Sequence, residues 1–350
     1  MKPKKEAWRW LFLAILFLFL DGLVWSVIQF HRNYEHLSSD LLIGNKMATV
    51  KALKEKGFPF SFLVIGDTQS SRRAQSLIEM AVKGTPPSFM VILGDFVPRP
   101  DIWYHHLFLT EMAVEINPPF PVFLVAGNHD IDYGSKIVAR ERSVTPEIYE
   151  SFYGPRNFDF VYNNCLFIIC GVDLNNSAAY LEYLHDTLSK KREGKKHVFV
   201  FVHYPPKGLV DYIEGYLPRE EEFLSLLEAY RVTSCFFGDF HGYWRGQRRG
   251  VNLIVSGGGG RHKPSQSEWG KFHHILRISV NENQVSEEII TAGKGNAFQD
   301  FFREMVFTKF FPMMKNRGWI PYLLLILFSG SCAYAFIFFC ISIKKEQKTP

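Results

Sequence analysis

Five cysteines in 350 residues are few, and their surroundings are apolar. Cys332 and Cys340 lie in an apolar run near the carboxyl end, while Cys165, Cys170 and Cys235 lie in strand-like runs. That is the usage of buried thiols; it speaks against a disulfide framework or a cysteine zinc site and leaves the redox compartment open. A concentrated basic face is missing too. The net charge of +5 sits at the ends: residues 1–10 carry +3 from Lys2, Lys4, Lys5 and Arg9 against Glu6, and residues 341–350 carry +2 from Lys344, Lys345 and Lys348 against Glu346. The stretch between them is neutral, which argues against a nucleic-acid partner. There is no repeat of fixed period and no low-complexity tract, and 47% hydrophobic content suffices for one large core or two small ones.

What the chain does have is two long apolar runs. Trp10 to Phe30 is long enough to span a bilayer, is broken only by Asp21 and follows a basic cluster, so a signal anchor is expected. The competing reading, a cleaved signal peptide with Trp10–Leu20 as its apolar region, lacks a small-x-small cleavage pattern after Asp21. Trp319 to Ile343 opens with Trp319 and Tyr322 and ends at Lys344-Lys345, as a second span does. The basic residues before the first run outweigh those just after it, which places the amino terminus in the cytoplasm and the body on the extracytoplasmic side. The second run has Lys309, Lys315 and Arg317 before it and lysines after it, so the orientation rests on the first.

The expected partition is a tail at 1–9, a span at 10–30, a linker at 31–57, a folded domain at 58–295, a membrane-proximal segment at 296–318, a span at 319–343 and a tail at 344–350. The membrane-proximal segment is amphipathic, rich in Phe and Met with Lys309, Lys315 and Arg317 interleaved, and reads as a segment lying in the headgroup region in preference to ordinary packing against the body. Asp21 requires compensation, since insertion scales charge about 2.5–3.5 kcal/mol for a carboxylate near the middle of a span. At ~1.5 Å per residue it reaches the depth of the run Ser329 to Tyr334, where Ser329, Ser331 or Tyr334 could donate to it. Alternatively Asp21 is protonated, or the helix is shifted so that it lies near an interface.

Within the body, strands alternate with helices. Strands are expected at Ser61–Ile65, Phe89–Leu93, Val122–Val125, Leu166–Cys170, His197–Val202, Thr233–Phe237, Asn252–Val255 and Ile275–Val280. Helices are expected at Arg73–Val82, Ile102–Glu115, Ala178–Lys190 and Glu220–Tyr230, with His105 and His106 at the surface. The fold class is α/β, a layered mixed β-sheet flanked by helices, together with the two spans.

Five strands stop on polar residues of metal-ligand type. Val122–Val125 runs into Gly127-Asn128-His129-Asp130, Ser61–Ile65 into Gly66-Asp67-Thr68-Gln69, and Phe89–Leu93 into Gly94-Asp95. His197–Val202 runs into His203, and Thr233–Phe237 into Gly238-Asp239-Phe240-His241. Any one of these is an ordinary turn or cap. Several buried carboxylates brought together repel one another and take up protons unless a cation compensates them, so the set points to a dinuclear metal centre.

In this order the motifs resemble those of the calcineurin-like metallophosphoesterase superfamily: Asp-x-His, Gly-Asp, Gly-Asn-His-(Asp/Glu), a lone His and Gly-His-x-His. The stretches Phe152 to Phe158 and Ser256 to Gly260 are similar to the branch nearest the purple acid phosphatases. The resemblance implies a two-sheet β-sandwich with Asp95 bridging two divalent ions. Asp67, Gln69 and His241 would hold one ion, and Asn128, His203 and Asp239 the other. A metal-bridging hydroxide would attack a phosphate ester, with His129 as general acid and Asp130 orienting it. Gln69 and Asp239 stand where the usual pattern has His, and this oxygen-rich set favours manganese, with iron or zinc as alternatives. Arg261 and His262 could grip phosphate oxygens. The activity implied is that of a membrane-anchored hydrolase acting on a phosphate ester, soluble or linked to a membrane lipid. The rival is a non-catalytic binding or scaffold module that keeps the fold with a lapsed site.

Overall fold

The computed structural model describes residues 3–35, 41–83, 85–134, 138–209, 216–260, 272–291, 295–310, 312 and 319–347. Arg261 and His262 lie outside the described residues. The chain divides into two compact units, one of residues 38–300 and one joining residues 1–37 to 301–350.

The second of these units holds helix α1 (Pro3–Glu35) and a carboxyl-terminal helix (Ile320–Gln347). Their apolar windows, Lys5–Gln29 and Ile320–Lys344, are long enough to cross a bilayer. The two helices run antiparallel, since partners fall in number from Phe338 to Phe328 on one as they rise from Trp10 to Phe17 on the other. Trp10 packs on Phe338, Cys332 Sγ reaches the Ala14 carbonyl at 3.3 Å, and Phe17 stacks on Phe328. At the next turn Ser329 Oγ donates to Asp21 Oδ2 at 2.7 Å. The acid at position 21 is thus answered by a hydroxyl of the small-residue run, one of the arrangements its depth had suggested.

The body contains two sheets. In the first, β1 (Phe60–Ile65), β2 (Met90–Ile92) and β3 (Val122–Leu124) are parallel, and two later strands, β10 (His274–Val280) and β11 (Val285–Thr291), extend it in the order β11-β10-β1-β2-β3. In the second, β5 (Cys165–Cys170), β6 (His197–Val202), β7 (Ser234–Phe237) and β9 (Val251–Ser256) are parallel. Strands β4 (Phe158–Tyr162) and β8 (Tyr243–Arg248) close its two edges antiparallel.

The two-residue period of the strands sorts their side chains into three cores. Phe62 and Val64 of β1, Phe167 of β5, and Phe199 and Phe201 of β6 meet between the sheets. Leu63 and Ile65 face outward to α3 (Arg72–Val82), α4 (Ile102–Thr110) and α5 (Pro146–Tyr153), while Val198, Val200 and Val202 face α6 (Ala179–Lys191) and α7 (Glu220–Ala229); the short α2 (Met47–Lys51) precedes β1. The layers are therefore helix, sheet, sheet, helix. Phe62 sits at the centre of the inner core, fully buried, its ring 5.1 Å from Phe89 and 5.3 Å from Phe199.

Every expected strand is present, and the three that were not expected, β4, β8 and β11, are all sheet edges. The helix expected over Ile102–Glu115 is α-helical to Thr110 and continues as a wider π turn over Glu111–Ile116. His105 and His106, expected at the surface, are buried. The helix that carries them is packed on nearly every side, with seven of its residues buried, so no face was left for them outside. Burial with His106 beside it pushes His105 down to about 3, which keeps the ring neutral, and its Nδ1 lies 3.0 Å from the Tyr153 hydroxyl. The compact body also begins before residue 58. Asn45 is fully buried and ties the chain to β3 through Leu124 and to Pro155.

Replacing Phe62 by alanine is expected to cost about 3–5 kcal/mol. Val161, 40% exposed on the edge strand β4, should tolerate alanine within about 0.5 kcal/mol. Urea unfolding followed by tryptophan fluorescence measures both; equal losses would contradict this placement of the core.

Candidate metal centre

The parallel strands of both sheets end on the same side, and their exit loops meet there. Asp67 leaves β1, Asp95 follows β2, Asn128 and His129 follow β3, His203 leaves β6, and Asp239 and His241 follow β7. The backbone is strained where these side chains are presented. Asp67, Gln69, Asp95 and Asp239 all have left-handed φ values, of 55°, 44°, 51° and 60°. Such conformations cost of order 1–3 kcal/mol each and persist where surrounding contacts over-determine them.

Those contacts are visible. Asp67 N–H donates to the Gly94 carbonyl at 3.0 Å, Gln69 N–H to the Asp95 carbonyl at 3.0 Å, and Asp239 N–H to Asp67 Oδ2 at 3.1 Å. A side chain at Gly127 would meet the Asp95 amide at 2.6 Å and the His203 ring at 3.0 Å, so the β3 exit loop can approach only as glycine. The glycine run after β9 has a similar reason, because a Cβ at Gly257 would lie 2.5 Å from Asp67 Oδ2. It lets one loop cross over the carboxylate of another.

The side chains converge around His203. Its Nδ1 is 2.8 Å from the Leu93 carbonyl, which turns Nε2 inward, and around Nε2 stand Asn128 Oδ1 at 3.1 Å, Asp95 Oδ1 at 3.4 Å and Asp239 Oδ1 at 3.5 Å. Beside this group His241 Nε2 lies 3.6 Å from Asp67 Oδ1 and His129 Nε2 lies 3.7 Å from Asp95 Oδ2. Asp67, Asp95 and His203 offer ligand atoms that all lie within 4.8 Å of one another. Gln69 is half-buried and is tied to the group through its backbone.

Burial pushes the Asp67 carboxyl well above its ordinary range; His203 opposes this, and the negative neighbours Asp95 and Asp239 reinforce it. Burial would lower His203, but Asp95, a hydrogen bond to Asp239 and the charge of Asp67 outweigh it and raise the imidazole well above its usual value. Asp67 Oδ1 is buried and makes no hydrogen bond. An orphaned carboxylate oxygen within a buried acidic cluster fits a divalent cation, and the donors, four oxygens from Asp67, Asp95, Asn128 and Asp239 and two nitrogens from His203 and His241, suit one.

Asp130 has a different place from the one expected. Its carboxylate is fully buried and accepts backbone N–H bonds from Asp95 at 2.8 Å, Phe96 at 3.0 Å, Val97 at 3.3 Å and Gly127 at 2.8 Å. It pins the β2 exit loop to the β3 exit loop and does not touch the His129 ring. Its own acid is pushed up to about 7 by burial and then by the charge of Asp95, against the pull of the Gly127 and Val97 amides. His129 is oriented instead by the Pro98 carbonyl, 2.7 Å from Nδ1, and its backbone N–H holds Asp95 Oδ1 at 2.9 Å. The orienting carbonyls of Pro98 and Leu93 are backbone atoms and leave no mark in a sequence.

All three raised groups act in one direction. A group whose folded pKa exceeds its unfolded value contributes stability below the unfolded pKa, and that contribution is lost as pH rises through the folded value. For Asp67 and Asp130 the loss starts near the ordinary aspartate value of about 3.9, and for His203 near about 6.5. Metal-free protein is therefore expected to lose stability from about pH 4 upward, through the Asp130 value of about 7, and the gain in Tm on adding Mn²⁺ to grow over that interval. Scanning calorimetry with and without chelator tests this; a gain that shrinks with pH would contradict it.

The family model of the calcineurin-like phosphoesterases matches residues 60–243, more than half of the chain. Among solved structures, the fold is similar to that of a purple acid phosphatase from yellow lupin (Lupinus luteus) seeds. Identity is 15%, 69% of this chain and 53% of that chain are covered, and the TM-score is 0.51. The chain thus spans about half the length of the lupin enzyme. A structure of PhoD is similar at 11% identity, with 70% and 69% covered and a TM-score of 0.50. A dimetal phosphatase from Danio rerio shares 16% identity, with 68% of this chain and 98% of that one covered and a TM-score of 0.49. No curated protein matches the chain. At such identities the likeness to solved structures is one of fold, and the family follows from the match over residues 60–243: the chain belongs to the calcineurin-like phosphoesterases.

Proposed function

We propose that this protein is a membrane-anchored, metal-dependent phosphoric ester hydrolase. The observation that carries the reading is the buried group of Asp67, Asp95 and His203, with an Asp67 oxygen that no hydrogen bond satisfies. A scaffold module has no use for buried carboxylates whose charges push the Asp67 carboxyl up. In this reading Asp67, Gln69, Asp95 and His241 would hold one divalent ion, and Asp95, Asn128, His203 and Asp239 would hold the second. When bound, such a pair lowers the pKa of water and neutralises charge on the phosphoryl oxygens. The excess of oxygen donors favours manganese over zinc.

The chain's own residues supply the rest. His203 is fixed by the Leu93 carbonyl and keeps Nε2 turned inward, and Asp130 holds the loops of Asp95 and Gly127 in register. His129 donates Nδ1–H to the Pro98 carbonyl, which leaves Nε2 facing the site with its side chain about one third exposed. From there a protonated ring gives its proton to the departing ester oxygen and is refilled from solvent.

The two apolar helices, packed antiparallel, support an anchor with both tails on one side, and the basic residues before the first run argue for a body on the extracytoplasmic side. Tethering at both ends favours a phosphate ester of a membrane lipid or lipid-linked species over a soluble one, an argument from geometry and not from the fold.

His129→Ala keeps the backbone N–H that binds Asp95. The variant should retain metal and lose about 10²–10⁴-fold in turnover on esters with poor leaving groups, and less on an aryl phosphate. Metal content and kcat on both substrates check this; loss of metal together with activity would remove the acid role from His129.

A further inference from the structure

Two arginines open α3, and they are partnered differently. Arg72 Nη1 lies 2.7 Å from Glu115 Oε2, and its backbone N–H donates to Asp300 Oδ1 at 2.9 Å. Arg73 has no carboxylate within ion-pair distance among the described residues. Its Nη1 meets Nε2 of His273, whose Nδ1 lies 3.1 Å from the Gly258 carbonyl. That carbonyl only accepts, so the ring's proton is on Nδ1 and Nε2 accepts from the guanidinium. The imidazole orients Arg73 without neutralising it. Arg73 Nε is buried and has no hydrogen-bond partner, and the backbone closes on it at Gly295, where a Cβ would lie 3.0 Å from Nε.

A partly buried cation without a counter-ion is costly, and its position suggests where the counter-ion comes from. Helix α3 follows directly on the loop of Asp67 and Gln69, and Gly258 follows Gly257, which crosses over Asp67. The Arg73–His273 pair stands beside the metal-ligand loops and contributes nothing to the ligand cluster.

We infer that Arg73, held by His273, is a subsite for a second anionic group of the substrate, separate from the ester cleaved at the metal centre. The substrate class is then a phosphate ester that carries a further phosphate or carboxylate, which the guanidinium meets with its charge and the N–H groups not taken by His273. This rests on the phosphoesterase reading above.

The test titrates the full chain in detergent with Mn²⁺, using linear alkyl phosphonates and α,ω-alkanebisphosphonates of matched and increasing length. At one spacer length the bisphosphonate should bind at least about tenfold tighter than the monophosphonate, equivalent to about 1.4 kcal/mol. Arg73→Gln should erase that advantage, Arg73→Lys should keep part of it, and the Tm of Arg73→Gln should equal or exceed that of the parent, because an uncompensated charge is gone. An advantage at no length, one that survives Arg73→Gln, or a fall in Tm marking the guanidinium as structural would each overturn the subsite. If the monophosphonates themselves fail to bind with Mn²⁺ present, the metal-centre reading falls, and this one with it.

Discussion

Electrostatic repulsion among Asp67, Asp95 and Asp239 is the constraint around which the body is built. Three carboxylates, each less than a tenth exposed, share the seam where two sheets end. Water cannot screen them there, so the fold holds them by other means. Left-handed backbone at each of the three aims the side chains inward. Glycines at 127 and 257 let the neighbouring loops close over them, and the Asp130 carboxylate gathers four backbone amides to keep the β2 and β3 loops aligned. Each device spends stability that the phenylalanine core between the sheets makes good.

The layered arrangement explains why the site lies where it does. Parallel strands from both sheets deliver their carboxyl ends to one side, and side chains from five loops meet without any single loop having to fold back. Strand alternation does the rest: β1 commits Phe62 and Val64 to the inner core and Leu63 and Ile65 to the helices, which fixes the register at which Asp67 emerges.

Much of this was legible in the sequence, for definite reasons. Apolar runs ending in Gly-Asp, Gly-Asn-His-Asp or a lone His state both the strand and what it carries, and the match over residues 60–243 agrees with them. Asp21 could be matched to the run containing Ser329 because helical rise converts residue number into depth. The edge strands β4, β8 and β11 escaped notice because one of their faces meets solvent, and a run such as Tyr243-Trp244-Arg245-Gly246-Gln247-Arg248 has too little apolar periodicity to stand out. His105 and His106 were misplaced because a helix buried all round has no polar face to read. The position of Asp130 turned on backbone amides, which every residue carries and no sequence pattern distinguishes. That Arg73, unlike Arg72, has no carboxylate partner among the described residues is likewise a tertiary fact, since the pair reads as two like charges on a helix start.

In the proposed function, divalent cations complete the acidic cluster. The most direct measurement is the metal content of the full chain purified in detergent without added chelator, alongside Asp95→Ala, by mass spectrometry of the elements. About two divalent ions per parent chain are expected, with manganese leading, and few or none in the variant. A parent chain that unfolds cooperatively yet carries no divalent ion, and takes none up on dialysis against Mn²⁺, would contradict it.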